Sequence, residues 1–395
     1  MPKLADYKYC TGCSACTNAC SHKAIIMTPD KEGFLYPHVD ESLCINCGVC
    51  EQVCPVIKTN KPENSSSPKT YAMWHHKDRT ISSSGGAFSA FARNIIKNKG
   101  KVFGASFDEN MRLHHIGVST IEELDLLRGS KYVQSDIEYS FKEVRKSLIC
   151  GTPVLFCGTP CQIAGLKSFL KKQYDNLLTL DLVCHGVPSY KIFRSYLDKL
   201  SNEEKLDKIN SFQFRRVNGW GFSPSVETTK GKMNLYGIQN LYMEAFTASA
   251  LFRESCYSCP FAKLPRQGDC SIADFWGIGR HGTPFKYDVM KGVSLILANN
   301  THGENAIKEL ENSFLTERSL KEALIENHNI NNPSERHQNR IDIIRDFLDE
   351  NKSLKDINSK YHLVDSSIKG IIKMYASKWG LFSITKRIYN KYKTL

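Results

Sequence analysis

The chain has 395 residues, 53 Lys and Arg against 41 Asp and Glu, and a formal charge of +12. Its length exceeds one ordinary core and predicts two or three domains, and its ordinary composition, 41% hydrophobic, excludes a chain that is disordered throughout. No secretory leader follows Met1 and no run of about 18 apolar residues occurs, so a cytoplasmic protein is expected; the positive balance alone selects no partner.

Fifteen cysteines in a long chain without a leader, eight of them crowded near the N-terminus, argue for thiolates that hold metal rather than for a disulfide scaffold. Cys10, Cys13, Cys16 and Cys20 are separated by two, two and three residues, and Cys44, Cys47, Cys50 and Cys54 repeat that spacing before Pro55. A short loop can wrap three thiolates around one corner of a cubane, while the fourth reaches the other cluster. The expected sets are Cys10, Cys13, Cys16 and Cys54 for one [4Fe-4S] cluster, and Cys44, Cys47, Cys50 and Cys20 for the other. Paired cysteines also bind zinc, but eight ligands in a duplicated spacing exceed what a zinc ribbon uses. Ala24–Met27 and Phe34–Val39 read as short strands around a turn at Asp30–Gly33. Residues 1–58 are thus expected to be a 2[4Fe-4S] ferredoxin domain of bacterial type.

Residues 59–70, with Pro62, Ser65, Ser66, Ser67 and Pro68, have linker chemistry. Tyr71–Trp74 reads as a strand, and Ser82, Ser83, Ser84, Gly85 and Gly86 lead into a helix over Ala87–Lys97. Such a turn offers free amides and hydroxyls to a phosphate or pyrophosphate, or is simply a turn with an N-cap. Lys101–Phe107 and Val154–Phe156 read as buried strands. Gly129, Ser130, Lys131 and Tyr132 form one polar group, and Gly158, Thr159, Pro160 and Cys161 another at a strand end, where α/β folds bind ligands. Lys131 alone also reads as a solvated surface lysine.

The ordered set Ser82–Ala87, Arg128–Ser135, Phe156–Gln162, Cys184-His185-Gly186, Cys256 with Cys259, and Asp274–Gly277 resembles the family of coenzyme F420 hydrogenase/dehydrogenase beta subunits over roughly residues 1–330. The resemblance implies a flavoprotein with FAD and a further [4Fe-4S] cluster in the body. It implies that Ser83, Ser84, Gly85, Gly86, Ser130, Lys131 and Tyr132, with Gly158 and Thr159, surround the flavin. For the further cluster, Cys256 and Cys259 supply one edge, and Cys161 and Cys184, at strand ends, are preferred over Cys157 for the other two ligands. Cys150 and Cys270 read as structural thiols, Cys270 inside a strand over Gly268–Phe275. Asp274 is expected as a proton carrier, and His185 as a proton donor or as a hydrogen-bond donor to a cysteine ligand.

The expected architecture is α+β: the ferredoxin fold at 1–58, a linker at 59–70, the N-terminal α/β region of the family at 71–150, a flavin and iron-sulfur body at 151–335, and a helical basic tail at 336–395. Helices are expected at Ile341–Leu348 and from Ser366 onward. That last stretch carries seven Lys and Arg and no acid, which suits an anionic membrane surface or a partner; packing on its own domain with a solvated basic face is favoured. The expected function is an oxidoreductase passing electrons between the clusters and FAD, to or from a soluble donor or acceptor, F420-type coenzyme or glycan-pathway metabolite. The alternative is a non-catalytic subunit relaying electrons to a partner redox protein. Nucleic acid is not an expected partner.

Overall fold

A computed structural model describes residues 1–58, 62–215, 221 and 223–365. The ferredoxin hairpin pairs β1 (Ile25–Pro29) antiparallel with β2 (Leu35–Val39). Short helices Ala15–Ala19 and Val49–Gln52 follow the second cysteine of each motif. Each is preceded by a residue in the left-handed region, Ser14 at φ 59° and Gly48 at φ 71°, so the cysteine loops turn sharply where they must wrap.

The body strands are β3 (Lys69–His75), β4 (Lys101–Phe107), β5 (Leu113–Val118), β6 (Val154–Gly158), β7 (Leu177–Leu182), β8 (Ile209–Gln213), β9 (Ser225–Thr228), β10 (Gly231–Asn234), β11 (Cys270–Asp274), β12 (Ser294–Ala298) and β13 (Ser313–Arg318). Eight of them form one mixed sheet in the order β13-β3-β12-β11-β7-β6-β4-β5, and β8, β9 and β10 form a small antiparallel one. Only β4, β6, β7 and β11 run parallel to their neighbours in a continuous set. Their C-terminal ends therefore share an edge, and antiparallel strands flank them on both sides. β6 is buried along its whole length, as a central parallel strand should be.

The mixed architecture and the N-terminal ferredoxin-type domain agree with expectation. The helix Ala87–Lys97 and β4 have the expected bounds, and the strand expected at Tyr71 begins two residues earlier. The large sheet takes strands from both sides of residue 150, so the stretches 71–150 and 151–335 share one sheet. Asn64, in the expected linker, is bound to the body through Arg266 O, Gly268 O and the Asn300 side chain. Beyond residue 335, helix Arg340–Leu348 packs on helix Tyr190–Glu204, with Ile343, Ile344 and Phe347 fully buried. The basic stretch from Ser366 lies outside the described residues. Among the described residues no helix is long and apolar enough to cross a membrane.

The ferredoxin module is docked through its hairpin turn. Arg340 donates to both Glu32 oxygens, at 3.0 and 2.7 Å, and to Phe252 O at 2.9 Å. Ser189 Oγ donates to Glu32 O and Lys191 Nζ to Lys31 O. Gly33, at φ +85°, would put a Cβ 2.2 Å from Lys191 Cβ, so the turn fits only because it has no side chain there. Arg340 is 3% exposed, and neutralising Glu32 leaves this buried charge only the longer, 3.7 Å contact with Glu254. Glu32→Gln is expected to cost about 3 kcal/mol of stability and to speed proteolytic cleavage between module and body; denaturant unfolding and limited proteolysis check both.

Candidate functional site

Cys10, Cys13, Cys16 and Cys54 line one small recess with Met27, Pro37 and Val56. Burial pushes the Cys16 thiol up to about 12, with Cys10 and Cys54 close enough to raise it further, and burial likewise raises Cys13 and Cys54. Thiols packed together in an apolar recess resist ionisation, so their thiolate forms call for a cationic partner such as cluster iron. In the second motif Cys50 is buried and within electrostatic reach of Cys47, which is exposed. Ala24 N donates to Cys20 Sγ at 3.3 Å.

A third group lies in the body. Cys161 opens the helix Pro160–Leu170 after β6, Cys184 follows β7, and Cys256 and Cys259 belong to the turn Glu254–Ser258 and its end. These three segments converge. Burial pushes Cys184 up to about 12, with Cys161 and Cys259 adding to the rise, and Cys259 up to about 11, with Cys161 adding. Cys256 is raised well above its usual value by burial, then by Cys184, Cys259 and Cys161. Thr159 Oγ1 lies 3.1 Å from Cys161 Sγ, and Thr159 N donates to Gln162 Oε1 at 2.9 Å, fixing the helix start. Cys157 stands apart from this group on the cavity wall, and Cys270 is fully buried, donating to Gly303 O. Among the described residues no three His, Cys, Asp or Glu side chains are drawn together as the donors of a single ion are.

Beside the body cysteines a cavity of about 550 Å³ opens at the C-terminal edge of the parallel strands. Ser83, Ser84, Gly86, Ser130, Lys131, Tyr132, Gly158 and Thr159 are on its wall, as are His185 and Asp274. Gly85 is not. A Cβ there would meet Met73 O at 2.2 Å and Ser294 N at 2.6 Å, so its role is to seat the serine loop against β3 and β12. Gly86, at φ +88°, then starts the helix Ala87–Lys97. Ser84 Oγ is buried without a hydrogen-bond partner, and Arg128 Nη2 is 3.6 Å from Asp78 Oδ2, beyond hydrogen-bond reach. These two unsatisfied groups and the helix N-terminus suit an anionic, dinucleotide-sized ligand. Lys131 Nζ is spent on the carbonyls of Leu127, Arg128 and Gly129, and burial pushes its pKa down to about 8.

Asp274 is not a free carboxylate: it pairs with Arg215, with the longer contact at 3.4 Å and both side chains nearly buried. Burial opposes the charge on Arg215, but Asp274 and Tyr132 outweigh it and hold its pKa above the usual value. The guanidinium also lies 5.6 Å from the Trp276 ring centre. Burial keeps His185 down, with Asp274 partly opposing, so its imidazole is neutral near pH 7. Arg215 and Arg253 escaped the sequence reading because a lone arginine carries no spacing signal.

His115 was also missed. It is 4% exposed, its Nδ1 is 2.7 Å from Ser135 Oγ, and its Nε2 is 3.1 Å from Cys157 O. The carbonyl can only accept, so Nε2 carries the proton and Nδ1 accepts from the serine. Burial pushes the pKa down to about 4. Between the unfolded value near 6.5 and about 4 the unfolded chain binds more protons, so the contribution is complete above that window and is lost as pH falls through it. The loss is on the order of 3 kcal/mol. His115→Gln is expected to flatten this part of the stability profile, read as urea midpoints from pH 7 to 4.

Residues 151–323 match the family described as coenzyme F420 hydrogenase/dehydrogenase, beta subunit (C terminus), and residues 9–57 match a 4Fe-4S dicluster domain. The chain is 28% identical over 325 residues to the coenzyme F420-dependent sulfite reductase of Methanocaldococcus jannaschii, covering 80% of this chain and about half (49%) of that protein. It is 22% identical over 249 residues to one of the subunits of the F(420)H(2) dehydrogenase of Methanosarcina mazei, covering 60% and 67%. A chain of the F420-reducing [NiFe] hydrogenase complex from Methanosarcina barkeri superposes with a TM-score of 0.45 at 15% identity, covering 78% of this chain and 97% of that one. Residues 151–323 thus carry the C-terminal region typical of coenzyme F420 hydrogenase/dehydrogenase beta subunits, behind an N-terminal 4Fe-4S dicluster domain.

Proposed function

We propose that the chain is an iron-sulfur flavoprotein oxidoreductase holding two [4Fe-4S] clusters in the ferredoxin module, a third in the body and FAD in the cavity, and exchanging electrons with a soluble F420-type coenzyme. The observation that carries the reading is the convergence of Cys161, Cys184, Cys256 and Cys259 between the inner ferredoxin cysteines and the cavity: Cys13 is within electrostatic reach of Cys161, and Cys161 and Cys184 also line the cavity. When bound, the clusters supply one-electron carriers and the flavin converts between one- and two-electron chemistry.

The residues divide the work. The four body cysteines hold the third cluster. Ser83, Ser84 and the N-terminus of helix Ala87–Lys97 take the pyrophosphate, with Arg128 beside it. Gly158 and Thr159 let the ligand approach the sheet edge. Arg215, fixed by Asp274 and Tyr132, gives the far wall a positive, hydrogen-bonding face next to Trp276. His185, neutral and in the wall, can accept or return a proton there. Both of these relatives are named for F420, which supports that coenzyme over a glycan metabolite as the redox partner.

Anaerobic purification with iron, sulfide and flavin analysis tests the reading. The expected content is about 12 irons and one FAD per chain, falling to about 8 irons in Cys259→Ser with the flavin retained. A wild type holding about 8 irons and refusing FAD on reconstitution would overturn it. A fully loaded chain that reduces neither F420 nor any nicotinamide would instead be a relay to a separate enzyme.

A further inference from the structure

Arg253 stands where the cysteine-bearing segments meet. It is fully buried, its Nε donates to Cys10 O at 2.7 Å, and its Nη1 donates to Gln134 Oε1 at 3.3 Å. Its own backbone ties the other segments together: Arg253 N donates to Val187 O, three residues beyond Cys184, and Cys256 N donates to Arg253 O. The guanidinium lies 3.9 Å from the Tyr36 ring centre, which holds it against the ferredoxin hairpin.

Among the described residues no carboxylate lies within ion-pair reach of this guanidinium, and its Nη2 is buried without a hydrogen-bond partner. Burying an arginine without a counter-charge is costly. The two neighbouring cysteine sets would become negative on holding iron, and Cys161 is close enough for the guanidinium to favour its ionised form. Those sets also feel each other, through Cys13 and Cys161. Adding an electron to either site adds negative charge, which a fixed positive charge between them favours.

We propose that Arg253 is a fixed positive charge shared by the Cys10–Cys13–Cys16–Cys54 site and the Cys161–Cys184–Cys256–Cys259 site, making both easier to reduce and holding their potentials together. It is a positioning residue, in contact with neither the cavity ligand nor the substrate. The inference rests on the third cluster proposed above, and the two can fail separately: iron content of the wild type judges the cluster, and potentials in the variants judge Arg253.

The test is an EPR-monitored redox titration of the anaerobically purified holoprotein, comparing wild type, R253K, R253M and Q134E. The last sets a carboxylate against the guanidinium without removing it. R253K is expected to titrate as the wild type does. R253M and Q134E are expected to shift the inner-module and body signals to more negative potentials, with the signal of the Cys20, Cys44, Cys47 and Cys50 set unmoved. Unchanged potentials in whichever of the two retains its iron would overturn the proposal. Where both lose iron, normal loading of R253K supports the role of charge, and iron loss in R253K as well overturns it in favour of shape alone. A wild type with about 8 irons would refute the third cluster, and the inner-module signal alone would then decide on Arg253 by the same outcomes.

Discussion

The helix Pro160–Leu170 packs against the first cysteine loop with nothing between them. A Cβ on Gly165 would lie 3.0 Å from Cys13 Cβ and Sγ, so the helix backbone rests directly on the Cys13 side chain. The same helix carries Cys161 in its first turn. One glycine contact therefore determines how far the ferredoxin cysteines stand from those of the body. The interface around it is built to keep that distance, with Ala15 and Val53 in a common core with Phe141, Phe156 and Ile163. Asn18 Nδ2 donates to Glu138 O, and Gln134 Nε2 to Thr11 O. The module is a fixed part of the body and not a domain on a tether.

The large sheet does for the cavity what the helix does for the cysteines. Four parallel strands end together, and three of those ends each deliver a different tool: Gly158 and Thr159 from β6, Cys184 and His185 after β7, Asp274 from β11. A crevice at the carboxyl edge of parallel strands follows from chain direction alone. The antiparallel partners β12 and β3 then close one flank, and the serine loop that follows β3 returns over the edge through the tight contact at Gly85. The buried Arg266–Asp181 pair stiffens the floor, since Asp181 also accepts from the amides of Gln267 and Gly268.

What could be read from the sequence was what is local. The duplicated cysteine spacing is self-contained within a few residues, and a loop that short has few ways to fold, so the meeting of Cys54 with Cys10, Cys13 and Cys16 in one recess was legible. The serine-glycine turn was legible as a helix start, but Gly85 could not be told from Gly86: one glycine answers to a carbonyl from another strand, the other to its own φ. Cys161 and Cys184 were suggested by their strand ends, whereas the pairing of Asp274 with Arg215 joins residues with no pattern between them. His115, Arg215 and Arg253 are single polar residues in ordinary surroundings, and their importance lies in burial, which only the closed fold reveals. The single sheet spanning residue 150 was illegible for a related reason, because strand order is set by long-range pairing.

The origins of the two kinds of cysteine set bear on assembly. The ferredoxin loops lie at the start of the chain and close over a few dozen residues, so they can take up metal while the rest is still being synthesised. The body set draws on three segments that meet only when β6 and β7 are paired and the turn at Glu254–Ser258 has reached them. Before that moment the four thiols are not neighbours. Once the segments have met, Cys161 and Cys184 still face the cavity, so any metal that the set holds would have to enter after the sheet has formed and from that side.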